Sequence, residues 1–364
     1  MNPSSDNKGL PHTYPDSGTL PTELPPVEAP SAGFIVQLFV IPALVVAVVI
    51  VVWLLFGKLA GGERDAREYV RLLRGSGATW RNAFELASLI RNDAKLAGDP
   101  VLLGELTDLL AHDLDHEGDP ELTRYVALTL GAFQTHEARS PSGQPLDPIA
   151  VLSQALGPKQ PAIVRGAAAV SLAKQAARLD GRLDDAQAVA ALGEASGDSD
   201  PELRQVAVYA LGFFGGEPAA KILRERLNDA DRYVRYNAGV ALARRGDEAA
   251  RGTVREMLTT ADLDKVLSFP SNVEKQNKIE AIELEAIQAL QASVDGGHPG
   301  LAASLRDAVD ALTRSGLVTV RSHAAALLRA VDARSGKSTA RGAGAGAPVV
   351  QIGNSLMTSF EISI

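Results

Sequence analysis

Apolar positions along the chain follow two different rules. From Phe34 to Phe56 (FIVQLFVIPALVVAVVIVVWLLF) they run almost unbroken: there is no charge, and only Gln37 and Pro42 depart from strong apolarity. At about 1.5 Å per residue such a helix is about 34 Å long, enough to cross about 30 Å of bilayer hydrocarbon. Apolar on every face, residues 34–56 predict a transmembrane helix, with Trp53 suited to the interface. Beyond residue 62 apolar residues recur instead at i, i+3, i+4, i+7 and i+8, the spacing of one helix face. That part of the chain predicts amphipathic helices packed against one another.

The periodic part also repeats at a longer interval. Asp200 to Leu211 (DPELRQVAVYAL) aligns without gaps on Asp231 to Leu242 (DRYVRYNAGVAL), an offset of 31 residues, sharing an apolar-Arg step, then Ala, then Ala-Leu. Weaker copies begin at Val164-Arg165 with Ala168 and Leu172, and at Val320-Arg321 with Ala324 and Leu328. Others sit at Leu122 with Val126 and Leu130, and at Ile282 with Ala286, Ala289 and Leu290. Second amphipathic segments lie between copies, at Ala219 to Leu227, Ala249 to Leu258 and Leu301 to Leu312, so each repeat predicts a helix pair. Asp99-Pro100, Asp119-Pro120, Asp147-Pro148 and Asp200-Pro201 mark helix starts. There the carboxylate accepts from orphan N–H groups and Pro occupies a position where its missing donor costs nothing. Ala at fixed positions lets helices approach closely, and Leu fills the layer between repeats. Residues 134–146 and roughly 260–278 interrupt the period with loop-forming residues.

These residues resemble the HEAT-like repeats of bacterial proteins, the type first described in phycobilisome lyases, whose unit reads Asp-Pro-x-[Val/Leu]-Arg-x-x-Ala-x-x-Ala-Leu-Gly. Asp200 to Gly212 follows the unit almost throughout, and Asp231 to Ala243 departs from it at the Pro and the Gly; the likeness extends over roughly residues 65–333. It implies an α-solenoid of about six to seven helix pairs, a curved array whose concave face is lined by the second helices. It also implies that the repeated arginine pairs with an Asp from an inter-helix turn, building a ladder between repeats. Arg165, Arg204, Arg235 and Arg321 occupy that position.

Charge and composition narrow the function. The formal net charge of -8 leaves no global positive field for a phosphate backbone, which argues against nucleic acid as a partner. Without cysteine there is no disulfide framework, thiolate metal site or cysteine nucleophile. Aromatics at 5% fit small-residue helix packing better than a β-sandwich. Around the apolar run, Lys8 stands against Asp6, Asp16, Glu23 and Glu28 on one side, while Lys58, Arg64, Arg67, Arg71 and Arg74 follow on the other. Basic residues resist translocation, which predicts an external N-terminus and a cytoplasmic solenoid. The expected organisation is a disordered Pro-rich tail at 1–33, the transmembrane helix at 34–56, a juxtamembrane segment at 57–78, the solenoid at 79–333, and a Gly/Ala-rich linker with a C-terminal tail at 334–364.

Each candidate catalytic motif lacks a member. Gly336-Lys337-Ser338 has Val331 where a phosphate-binding loop requires Gly. His112 and His116 share a helical spacing, but Asp113-Leu114-Asp115 between them lacks the Glu of a zinc-protease helix, and the pair falls where a helix should end. His116-Glu117 and His136-Glu137 resemble the dipeptides of HEAT-repeat di-iron hydroxylases, yet are too few and sit in expected turns, while His323 is followed by Ala324. No catalytic, metal or cofactor-binding residue is therefore expected. Tyr209, Tyr233 and Tyr236 cluster in the two best repeats beside Arg204, Arg232 and Arg235, residue types favoured at binding hot spots, and these six are the candidate protein-binding residues. The sequence thus predicts an all-α, membrane-anchored HEAT-like scaffold or adaptor with an unidentified protein partner, a bilayer contact through residues 34–56, no nucleic acid and no small-molecule substrate. The alternative is a HEAT-repeat enzyme, bilin lyase-like or di-iron hydroxylase-like.

Overall fold

The computed structural model describes residues 33, 41–60, 65–116, 118–179 and 183–338, with only the backbone at 42, 53–60 and 335–338. The expected disordered tail up to residue 32, the first seven residues of the apolar run and the C-terminal tail from residue 339 onward lie outside the described residues. The chain divides into two compact units, residues 1–63 and 64–364.

In the first unit, α1 (Ile41–Ala60) forms within the apolar run. Its described side chains, at 41 and 43–52, are exposed, Leu44 at 62% and Val49 at 59% among them, and none joins the core cluster. Among the described residues no helix is long and apolar enough to cross a membrane. Of the expected spanning segment, only the part from Ile41 onward is described.

The described residues of the second unit are mostly helical. In chain order it comprises α2 (Ala66–Arg74), α3 (Trp80–Asn92), α4 (Ala94–Ala97), α5 (Pro100–Asp115), α6 (Pro120–Leu130), β1 (Ala138–Arg139) and β2 (Pro145–Leu146). It continues with α7 (Pro148–Ala155), α8 (Ala162–Arg178), α9 (Ala186–Ala195), α10 (Pro201–Leu211), α11 (Gly216–Arg226) and α12 (Arg232–Arg244). After a 3-10 turn at Glu248–Ala250 come α13 (Arg251–Met257), α14 (Thr260–Val266), α15 (Asn272–Asp295), α16 (Gly300–Ser304), α17 (Arg306–Leu312) and α18 (Val318–Ser338).

Two rows follow from how these helices pack. The helices carrying the repeated motif, α6, α8, α10, α12, α15 and α18, lie side by side in that order, with α3 ahead of them beside α6 in the same row of motif helices. The first helices of each pair cover them: α2 packs on α3, α5 on α6, α7 on α8, α9 on α10, α11 on α12, α13 on α12 and α15, and α17 on α18. Seven pairs result among the described residues, in keeping with the α-solenoid expected.

Periodicity explains the packing. The alanines at the equivalent motif position, Ala168, Ala207, Ala238, Ala286 and Ala324, are fully buried, as are Leu172, Leu211, Leu242 and Leu290 further along the same helices. Small side chains let backbones close in, while leucines fill the layer beneath. All four Asp-Pro starts are N-caps: Asp99 accepts from Val101 and Leu102, Asp119 from Glu121, Asp147 from Ile149 and Ala150, and Asp200 from Glu202.

Three boundaries differ from expectation. The array begins before residue 79, because Ala66, Val70 and Leu73 of α2 are buried and α2 packs on α3. The interruption at 134–146 contains the antiparallel hairpin β1–β2, with Ala138 opposite Leu146, seated on α5. Gly104 makes this possible: a Cβ there would lie 2.1 Å from the Arg139 carbonyl oxygen. The interruption at 260–278 is α14 followed by the first turns of α15, the 24-residue helix of the array. Gly336-Lys337-Ser338, expected in a linker, falls in the last turn of α18, where helical backbone offers no phosphate cradle.

Candidate interaction surface

Repeated arginines stitch the N-terminal ends of the motif helices together. Arg165 on α8 donates to Asp198 at 2.6 Å and to the Leu156 carbonyl at 2.9 Å. Arg204 on α10 forks onto both oxygens of Asp229, at 2.9 and 3.1 Å, and reaches the Asp198 carbonyl at 3.0 Å. Each carboxylate also accepts from the amide two residues on, Asp200 or Asp231, in the turn leading into the next motif helix. That amide, and then Arg165, holds the Asp198 carboxyl below its ordinary range, while the Asp229 hydrogen bonds hold Arg204 above its own. Arg235 and Arg321 instead donate to carbonyls of the turns before their own helices, and Arg235 lies 3.9 Å from Glu256.

A second set works at the C-terminal ends. Arg178 on α8 donates to the Gly131 carbonyl at 2.9 Å, just past α6. Gln175 of the same helix donates to Leu130 at 2.9 Å, Arg245 donates to Phe214 beyond α10, and Arg334 on α18 to Asp295 at the end of α15. These side chains satisfy carbonyls near the helix ends, and the arginines among them place positive charge at the negative end of the dipole. This set is not legible in the repeat because its members stand at the far ends of the motif helices, outside the aligned motif.

The six candidate binding residues are thereby accounted for individually. Arg204 belongs to the ladder, Arg235 is held by its own turn, and Arg232 donates to the Val266 carbonyl at 2.9 Å. Tyr236 is fully buried and donates from its hydroxyl to Glu256 at 2.7 Å; burial, then that hydrogen bond, raises its phenol pKa. Its ring fills space within the array and adds nothing to a surface. Tyr233 is half-buried, edge-on to Tyr236 at 6.4 Å, with Lys278 at 5.0 Å over its face. Tyr209, also half-buried, packs edge-on to Phe213 at 5.0 Å. The structure therefore brings Tyr233 and Tyr236 together beside α13 and α15 and keeps Tyr209 on α10 against its own helix end.

Exposed aromatic surface lies elsewhere. Trp80 and Phe84 on α3, 38% and 39% exposed, flank Tyr125 on α6: Trp80 stacks on it at 5.1 Å and Phe84 meets it edge-on at 6.3 Å. Arg81 sits over Trp80 at 5.4 Å and Arg124 over Tyr125 at 5.2 Å. The signal was present in the sequence as a second stripe on α3. Trp80, Phe84, Ala87 and Arg91 follow helical spacing out of phase with the core stripe Ala83, Leu86 and Ile90.

Two grooves border this platform along the motif row. One, about 300 Å³, is lined by Phe84, Ala87 and Arg91 of α3, Tyr125, Leu128, Gly131 and Ala132 at α6, and Lys174 and Arg178 of α8. The other, about 210 Å³, runs between α6, α8 and α10, with Arg124, Leu128, Ile163, Val170 and Leu203 among its walls and Asp200 and Glu202 at one side. Leu128 belongs to both.

Other titratable groups lie away from this face. The rings of His112 and His116 stack at 4.2 Å, and His116 caps α5, its Nδ1 lying 2.9 Å from the His112 carbonyl. His136-Glu137 is exposed ahead of β1, and Glu117 lies outside the described residues. Among the described residues no group of three or more His, Cys, Asp or Glu side chains could hold a metal ion. On α15, burial pushes the Glu285 carboxyl up to about 7, against the opposing pull of Arg244 at 3.8 Å and Lys278.

Residues 149–243 match the family described as HEAT repeats, the stretch in which the sequence repeat is strongest. No curated protein matches the chain. Among solved structures it is similar to one titled as the Pds5-Scc1 complex (13% identity, 74% of this chain and 50% of that one, TM-score 0.38). It is also similar to a designed armadillo repeat protein in complex with the peptide (KR)4 (15% identity, 74% and 100%, TM-score 0.32). Human deoxyhypusine hydroxylase in complex with glycerol is a further similar structure (18% identity, 76% and 99%, TM-score 0.26).

Proposed function

We propose that this HEAT-like repeat protein is a single-pass membrane scaffold whose helical array holds a protein partner on the face of its motif helices, and that it acts by binding rather than by catalysis. The observation that carries the binding reading is the Trp80–Phe84–Tyr125 platform with its two bordering grooves. Large rings at an exposed site combine apolar contact area with few rotamers to immobilise, which suits an interface better than an isolated surface.

The tether rests on the uncharged run from Phe34 to Phe56 and on the apolar side chains that α1 leaves unpacked. In this reading the flanking basic residues put the N-terminus outside and the array in the cytoplasm. Tethering confines the array to two dimensions and raises the effective concentration of whatever it holds. Alkaline extraction of membranes should leave the full chain in the pellet and release a chain lacking residues 34–56; release of both would remove the tether. Protease added to intact cells should spare the array, and its digestion from outside would reverse the orientation.

Proximity labelling with the full chain, compared with a Trp80→Ala, Phe84→Ala variant of unchanged helicity, tests the surface. Loss of a reproducible partner in the variant is expected, and an unchanged partner set would refute it. The enzyme alternative is separated by metal analysis and a visible absorption spectrum of the purified chain: bound iron or a bilin band after co-expression would replace binding with chemistry.

A further inference from the structure

We infer that the groove between α3, α6 and α8 takes a short acidic segment of a protein partner, with an apolar side chain as its anchor. This inference rests on the scaffold reading and gives the partner its chemistry. Three cations, Arg91, Lys174 and Arg178, line the groove around apolar walls that include Phe84, Tyr125 and Leu128, and among the described residues no carboxylate lines it. The chain as a whole carries a formal charge of -8, so this groove opposes the average sign of the molecule.

Arg178 is already fixed by the Gly131 carbonyl, which holds its guanidinium at the groove without consuming all five of its donors. A carboxylate arriving there meets an oriented fork and loses little rotamer entropy in the protein. The apolar walls supply what charge alone cannot: apolar contact that distinguishes a peptide from a simple anion.

The neighbouring groove argues for an extended occupant. It shares Leu128, continues along the motif row past Arg124, and carries Asp200 and Glu202 at its α10 side. A chain lying across both would carry its acidic residues toward Arg91 and Arg178, and neutral or basic ones toward α10. The electrostatic pattern therefore also sets the direction in which the segment runs.

The test uses the full chain in detergent and fluorescein-labelled peptides read by anisotropy. The probes are Glu-Glu-Phe-Glu-Glu-Leu, the same peptide with Gln for Glu, the same with Lys for Glu, and hexaglutamate. Binding of the first should be at least tenfold tighter than that of the other three and should weaken with added salt. Arg91→Glu with Lys174→Glu should weaken it at least tenfold, and Phe84→Ala severalfold, while Lys265→Glu on exposed α14 leaves it unchanged. Circular dichroism must show each variant as helical as the parent. Equal binding of the Lys or Gln peptide, or indifference to the double reversal, overturns the inference; equal binding of hexaglutamate reduces the groove to an anion site and also overturns it. If the peptides fail while partner labelling still depends on Trp80 and Phe84, the scaffold reading stands and only the acidic chemistry falls.

Discussion

The stretch from α10 to α12 and the stretch from α3 to α8 are built on the same packing plan and use their polar and aromatic residues in opposite ways. In the first, where the repeat is most regular, Arg204 is committed to Asp229, Arg235 to its own turn and Tyr236 to Glu256. In the second, Trp80 and Phe84 face outward on a helix whose core stripe is complete without them, and Arg91 lines a groove. Residues that recur are those stacking requires at every interface. The surface proposed for a partner lies where the chain departs from the repeat.

This contrast can be broken most forcefully at Tyr236. Tyr236→Ala empties a fully buried site and should cost about 3–5 kcal/mol in chemical denaturation, whereas Phe84→Ala on the exposed platform should cost less than about 1 kcal/mol. Similar losses at the two positions would erase the distinction. Next comes Arg204→Ala, which leaves Asp229 without its charged donor and should cost about 2–3 kcal/mol; Arg91→Ala should be nearly silent in the same assay. Because solenoids unfold piecewise, the loss should appear first in hydrogen exchange of α10 and α12.

A smaller effect should appear with pH. The Glu285 carboxyl titrates at about 7 in the folded array against about 4.5 when unfolded, so the folded state binds the extra proton. Its contribution is full below the unfolded value and is lost as pH rises through about 7. Glu285→Gln should therefore flatten the fall in stability between about pH 5 and 8 and make the protein more stable at pH 8, by on the order of 2 kcal/mol. A variant whose pH profile matched the parent would show that Arg244 already neutralises the site. The least effect on stability belongs to the platform itself: Trp80→Ala should leave the denaturation midpoint within about 0.5 kcal/mol of the parent and still abolish partner labelling.

Much of the fold was legible because its determinants are local. Asp-Pro starts identify caps within three residues, and the Ala and Leu positions mark the buried face within three turns. The Arg165–Asp198 and Arg204–Asp229 pairs are what the likeness to HEAT-like repeats implies, although they span 33 and 25 positions. The role of α2 was not legible, because its single buried stripe of Ala66, Val70 and Leu73 sits among the arginines read as a membrane flank. Nor was the hairpin, whose seat depends on Gly104 more than thirty positions away.

The burial of Tyr236 was not legible for a related reason. Tyr236 stands two positions after a core valine, and the period alone does not decide between interior and surface there. It turns inward because α13 offers Glu256. Trp80 and Tyr125 are 45 positions apart and form one platform only because α3 lies directly beside α6, a neighbour relation that the sequence repeat, weakest in this stretch, does not announce. The second stripe on α3 was the available clue.

The arginine ladder bears on how the array can change length. Arg165 grips Asp198 and Arg204 grips Asp229, and these acids stand 31 positions apart in equivalent turns. Excising residues 198–228 would bring Asp229 to the place Asp198 now occupies, presenting Arg165 with the same acid in the same kind of turn, so a whole module can be lost with its seam rejoined. A cut of any other phase would leave Arg165 facing a mismatched seam. Such exchangeable joints let an array gain or shed units in the middle while the grooves beside α3 and α6 stay as they are.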